Sequence, residues 1–423
     1  MFRKNLRLFL NRISNLPDIL WILIGFLIPF SLFFVRRVFF KETTMQFLRY
    51  VPASGEFIGG DLKNTLNIAR AFFTNHQTPY IGDYAYTPFT NIFVAPLLVF
   101  NFSIAYKIVT IINLLCYLAI AFILPIIFNK EKYPTSQIIF VFITGLYSYG
   151  LQFELERGQF NLLAVTLCLV AIVIFHYRPK YSIIAYILFI ISVQLKVYPF
   201  IFILMFIRDF HNWKENLKRI FLLGIVNLIA LFILGYEVFL DFIKAILNHM
   251  KYPPISGVNH SIKSFVTIFS SQLADLGLDW LYENKSYIEY FLLFFVVSCI
   301  FLIIIKSQKN NLTGLNKYLL LACTIGALLI PSASQDYTLS YLAAPFALLI
   351  NDGFKWIKSY RVYFQILFII LLVALSSSYF STIFPLVYKP QIFILRNNFL
   401  PLFFMLLIVT LINFFYRPSI ESS

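Results

Sequence analysis

Two glycines and a carboxylate, Gly59-Gly60-Asp61, open the stretch Leu62–Phe73. That stretch reads as an amphipathic helix. An acidic residue at its start is favoured by the free amides and the helix dipole. The same carboxylate, facing a hydroxyl, has the chemistry of a general base, and the glycines would let a ligand approach the backbone closely. Downstream, Glu154, Glu156 and Arg157 form a dense charged knot between apolar runs, followed by Gly158-Gln159-Phe160-Asn161. Charge beside a membrane core is costly, about 2.5–3.5 kcal/mol at a helix centre, so an internal Glu–Arg pair is the plain explanation of the knot. Gln159 and Asn161 add amide donors and acceptors. Lys196, in Leu195-Lys196-Val197-Tyr198-Pro199, is a lone cation closing an apolar run. It either snorkels to the interface or meets a phosphate at headgroup depth, beside a helix start. Asn259-His260-Ser261, which also matches a glycosylation sequon, and Ser334-Gln335-Asp336-Tyr337 complete the polar set. With no DxD and no His pair at helical spacing, neither a metal nor a cofactor is expected.

The elements that carry these residues follow from composition. Of 423 residues, 60% are hydrophobic and only 13% charged, against about 45–50% and about 25% in soluble domains. The bilayer must therefore be the solvent. Runs such as Ile220–Gly235 lack the strict alternation of a barrel strand, so the expected fold is an all-α polytopic membrane protein. Apolar runs predict helices near 19–35, 104–128, 135–152, 161–176, 182–195, 198–207, 220–235, 288–305, 317–331, 338–350, 362–380 and 398–415, about twelve spans in one unit over 1–423. Pro88–Phe100 is too short to span and is laid in the interface as a surface or re-entrant helix.

Charge orients the bundle. Lys130/Lys132, Arg178/Lys180, Arg208/Lys214/Lys218/Arg219, Lys306/Lys309 and Lys355/Lys358/Arg361 fall in alternate loops, on the side of the basic amino terminus (Arg3, Lys4, Arg7, Arg12). Lys and Arg mark the cytoplasmic side, which places both termini inside and the polar set outside, with long outer loops near 36–103 and 236–287. The excess charge of +15 is spread over many short loops, so a nucleic-acid surface gets no support. Arg36 and Arg37 follow the run Ile19–Val35, which reads as an uncleaved helix and not a signal peptide. Cys116, Cys168, Cys299 and Cys323 all lie in apolar runs without paired spacing, so neither disulfides nor zinc are expected.

Taken in order, Asp61, Tyr86-Thr87-Pro88, the step Gly158, Gln159, Asn161, then Leu195–Pro199, the pair Asn259 and Ser261, and the turn before Tyr337 and Pro345 resemble glycosyltransferase family 87. This family of polytopic enzymes of the GT-C class uses polyprenyl-phosphate sugars. The resemblance implies an inverting transfer at the outer face of a bacterial inner membrane, to a lipid-linked or cell-surface glycan acceptor. It implies Asp61 as the base that deprotonates the acceptor, and Lys196 as the ligand of the donor phosphate. Arg157, Gln159, Asn161, Tyr198, Asn259 and Tyr337 are expected as the further substrate contacts. Family members often carry a Trp and a His in the late outer turn, where this chain has Gln335 and Tyr337, so mannose is favoured over arabinose or another sugar only by family habit. A flippase or transporter would place charges at mid-bilayer in broken helices, and a polysaccharide polymerase would rest on Arg-rich outer loops. Both stay as alternatives, although most spans are nearly free of charge at their centres and the chain offers Asp61 and Lys196 instead. The reading requires Asp61, Lys196 and Gln159 to meet in one place.

Overall fold

A computed structural model describes residues 58–128, 136–348 and 397–415, apart from 81, 83, 147, 210, 253, 256–258, 310–314 and 347, together with the isolated positions 367, 370 and 371. The expected helices at 19–35 and 362–380, the basic amino terminus and the clusters at Lys130/Lys132 and Lys355/Lys358/Arg361 lie outside the described residues.

The described chain is helical, with a single isolated bridge between Asn259 and Gln335. Its principal helices are α1 (Gly60–Asn75), α2 (Pro88–Val94), α3 (Phe102–Leu118), α4 (Ser136–Gly145), α5 (Tyr149–Arg157), α6 (Asn161–Tyr177) and α7 (Ser182–Leu195). They continue as α8 (Trp213–Ala230), α9 (Tyr236–Lys251), α10 (Ile262–Ala274), α11 (Asp279–Glu283), α12 (Lys285–Lys309), α13 (Lys317–Leu329) and α14 (Phe399–Phe415). Two helical runs, Phe102–Ile127 and Lys285–Ser307, are long and apolar enough to cross a bilayer. A third counts if Gly150–Arg157 and Asn161–Tyr177, bent by 117°, form one broken span. The other apolar helices are shorter, so twelve complete spans are not established.

Several boundaries differ from those that apolar runs predict. The run at 135–152 is two helices, because Ser148 accepts a hydrogen bond from the Leu151 amide and starts α5 afresh. The run at 198–207 forms a 3₁₀ helix, Tyr198–Phe206, with Pro199 in its first turn. The run at 338–350 begins as a second 3₁₀ segment, Asp336–Leu342. Helix α8 starts at Trp213, capped by the Asn212 side chain, so Lys214, Lys218 and Arg219 belong to a helix and not to a loop. A run-length reading is blind to such polar first turns, because it counts them as connection.

The core is built around α13, in which every residue from Leu319 to Leu329 is buried. A helix apolar all round has no solvent face to keep, and α13 packs against α12, α14 and the Tyr198–Phe206 segment. Beside it, α6 and α7 form a tight antiparallel pair, stitched by the Ser192 hydroxyl donating 2.7 Å to the Ala164 carbonyl. Helix α2 and its 3₁₀ continuation run from Pro88 to Val99, about 18 Å at 1.5 Å per residue, too short to span. Its first turn sits on the end of α7, where Thr87 donates to the Gln194 carbonyl.

Candidate active site

Three chain reversals meet at one point. The first is the start of α1. Gly59 is left-handed (φ 62°), and a Cβ there would stand 2.8 Å from the Tyr106 ring and 2.9 Å from Phe102. The second is the end of α5, where left-handed Gly158 (φ 66°) closes the helix and a Cβ would come 2.9 Å from the Leu62 Cβ and 3.5 Å from the Gly59 Cα. Only glycine permits both the positive φ and this backbone approach. Gly59 thus makes room for α3 and α5, which corrects the expectation that it makes room for a ligand. The third reversal is Lys196, which leaves α7 in extended conformation.

The carboxylate of Asp61 does not cap its own helix. It accepts from Arg157 Nε at 3.2 Å and from the Gln159 side-chain amide, and its second oxygen lies 3.0 Å from Arg157 Nη2. Gln159, 2% exposed, then turns its Oε1 to Lys196 Nζ at 2.7 Å and to the Tyr86 hydroxyl at 3.0 Å. One amide therefore bridges Asp61 and Lys196. Asn113 fixes its backbone by donating 2.8 Å to the Gln159 carbonyl. Lys196 is 5% exposed, and its ammonium lies 3.9 Å from the centroid of the Tyr86 ring, a cation–π contact. Burial pushes the Lys196 ammonium down to about 8, against the pull of Glu154 and Asp61. Such a lysine keeps its charge at neutral pH but holds it with few solvating partners, which suits an incoming phosphate.

Aromatic hydroxyls crowd the same space. Burial raises the Tyr86 and Tyr337 hydroxyls well above their ordinary value, and the Asp61 charge raises both further. Both residues nevertheless keep some accessible surface. Tyr337 leans on Phe153 with ring centroids 5.5 Å apart, and Gly150 lets its segment approach α5, since a Cβ there would meet the Ser340 amide at 2.8 Å. Tyr198 donates 2.7 Å to the Ala333 carbonyl and so holds the turn that presents Tyr337.

Other expected contacts have internal partners. Glu154 and Arg157 do not pair. Arg157 is taken by Asp61, while the fully buried Glu154 accepts the Asn161 amide at 2.7 Å, the Leu162 amide at 3.1 Å and the Asn161 side chain at 2.7 Å. Glu154 is thus the cap of α6, a buried carboxylate satisfied by the orphan amides of a helix start. Asn161, expected to touch substrate, is enclosed with it. Asn259 is also fully buried. Its side chain donates to the Pro254 and Ser332 carbonyls and accepts from the Ser261 and Ser334 amides, which ties two loops together and closes the sequon to modification. His260 joins this tie, its ring 3.3 Å from Asp336 Oδ1 and 3.0 Å from Ser334 Oγ. All three are buried, so the arrangement is an anchor. Sequence reasoning missed Asn113 and the site role of Tyr86, although a lone Asn in an apolar helix is itself a signal. No group of three or more potential metal ligands is present among the described residues.

Comparison with known families decides the class. The model for glycosyltransferase family 87 matches residues 84–332, more than half of the chain. The chain belongs to glycosyltransferase family 87. No curated protein and no solved structure matched it. The family match contains Arg157, Gln159 and Lys196, whereas Asp61 and Tyr337 lie beyond its ends. The fold brings both to the matched residues. A family 87 enzyme is a glycosyltransferase, so the transporter and polymerase readings fall away.

Proposed function

We propose that this family 87 enzyme transfers a sugar, mannose by family habit, from a polyprenyl phosphate to an acceptor hydroxyl on a lipid-linked or cell-surface glycan, with inversion. The observation that carries the reading is the bridge from Lys196 through Gln159 to Asp61. It sets a cation and a carboxylate one amide apart, so that one site can address both ends of a displacement. Asp61 accepts the acceptor O–H proton as the acceptor oxygen attacks the anomeric carbon. The bond from that carbon to the phosphate oxygen breaks on the opposite face, and the phosphate leaves with the negative charge. Lys196 meets this developing charge in a site where little water competes, the condition under which electrostatic stabilisation is strongest. Arg157 and Tyr337 flank the reacting centre. The lipid carries its own phosphate into the site, so no nucleotide-binding domain is required. In this reading the site faces the periplasm or cell exterior, with both termini cytoplasmic.

The test is transfer from radiolabelled polyprenyl-phosphate mannose to membrane lipid extract by purified enzyme, wild type against Asp61→Asn. Removing a general base costs about 10²–10⁴-fold in rate, so transfer should collapse while donor binding and thermal unfolding stay near wild type. Equal transfer by both proteins would leave Asp61 a structural partner of Arg157 and nothing more.

A further inference from the structure

The bundle holds a second pair of cations at the other end of α6 and α7. Phe175 lies 14 residues beyond Asn161, about 21 Å along the helix axis. Two guanidinium groups lie against its ring, Arg208 at 4.6 Å and Arg219 at 5.0 Å from the centroid. Both are half-buried. Their hydrogen bonds go only to neutral groups. Arg208 Nη2 donates to the Phe175 carbonyl. Arg219 Nη1 donates to the Phe206 carbonyl at 2.9 Å and to Asn216 Oδ1 at 3.1 Å, and Arg219 Nε to the Tyr186 hydroxyl at 3.1 Å.

Among the described residues, no carboxylate pairs with either group. The nearest in the chain, Asp209 and Glu215, are exposed, and Asp209 accepts from the His211 amide. The ion pairs found among the described residues involve other groups. Carbonyl dipoles orient a guanidinium but do not cancel its charge, and charge removed from water is ordinarily matched by a counter-ion. Arg208 Nε is buried with no partner. Among the described residues, Arg208 Nη1 and Arg219 Nη2 have no hydrogen-bond partner either, and neither is sealed in. Two open amino groups from fixed guanidinium planes suit a tetrahedral anion.

We propose that Arg208 and Arg219 form a second binding site, for a phosphate-bearing anion, at the end of the bundle remote from Asp61. Basic recesses between apolar helices take lipid headgroups, and a free phosphate ion shares the chemistry. The occupant neutralises the pair and fixes the turn between the Tyr198–Phe206 segment and α8.

The full-length protein in phosphatidylcholine nanodiscs tests this with two probes, phosphatidylglycerol added to the bilayer and inorganic phosphate added to the buffer, read by thermal unfolding and by direct binding. Saturable binding is expected in the wild type. R208Q and R219Q should each weaken it about tenfold, the worth of one charge-assisted contact, whereas K214Q and K218Q, which remove exposed charge from the same helix, should leave it unchanged. Response to the lipid alone identifies a headgroup site, and response to both probes a site for soluble anions. Should the glutamine variants misfold, R208K and R219K keep the charge but lose the planar fork, and weaker binding with normal sugar transfer supports the site. Binding that is unaltered in the arginine variants, or absent from the wild type with both probes, overturns it.

Discussion

At Lys196 burial and charge oppose one another, and burial prevails, leaving the ammonium at about 8. The sign of the consequence follows directly. Phosphate binding needs the protonated form, which is complete below that value and lost as pH rises through it. The donor kcat/KM, which reports the free enzyme, should therefore fall with an alkaline limb near pH 8, and Lys196→Arg should move that limb upward while lowering the plateau. Gln159→Glu probes the other half of the bridge. The new carboxylate still accepts from Lys196 and Tyr86 but no longer donates to Asp61, and it sets like charges together. Turnover should drop about tenfold or more, by one charged hydrogen bond, with the donor KM little altered. An equal loss in both parameters would place Gln159 on the donor. Residue types were legible in the sequence here. The partnership of Asp61 with Arg157 was not, because 96 positions separate them.

Elements position these groups through glycine and through caps. Gly158→Ala must force a side chain into left-handed backbone and against Leu62 and Gly59, at a combined cost of about 2–4 kcal/mol. A lowered unfolding midpoint together with lost transfer is expected. A variant of wild-type stability would show that α1 and α5 can separate without harm. The Gly-Gln-x-Asn step was visible as a break between apolar runs. The 117° bend that turns Gln159 toward Lys196 was not, since it arises where α5 closes on Gly158 and Glu154 caps α6, two local events that hydropathy averages away.

Over the whole molecule, the proposed topology puts the α10–α11 connection and the start of α8 on opposite sides of the membrane. Leu276 is 77% exposed in that connection, and Lys218 is exposed on α8. The four native cysteines are all buried, so background labelling should be low. Leu276→Cys should react with an impermeant maleimide on intact cells, and Lys218→Cys only after permeabilisation. Labelling of both from the same side would refute the proposed orientation.

Composition alone determined that the chain lives in lipid, because no soluble fold can hide that much apolar surface while bonding its backbone. The order of short polar motifs pointed to the family and to Asp61, Gln159 and Lys196. Tertiary structure decided what each polar residue does. It gave Glu154 to a helix start and Asn259 to a loop tie, and it joined Asp61 to Lys196 through one amide. The reason is physical. A buried polar group is defined by the partner that satisfies it, and partners in a helical bundle come from distant turns of the chain that sequence spacing does not reveal.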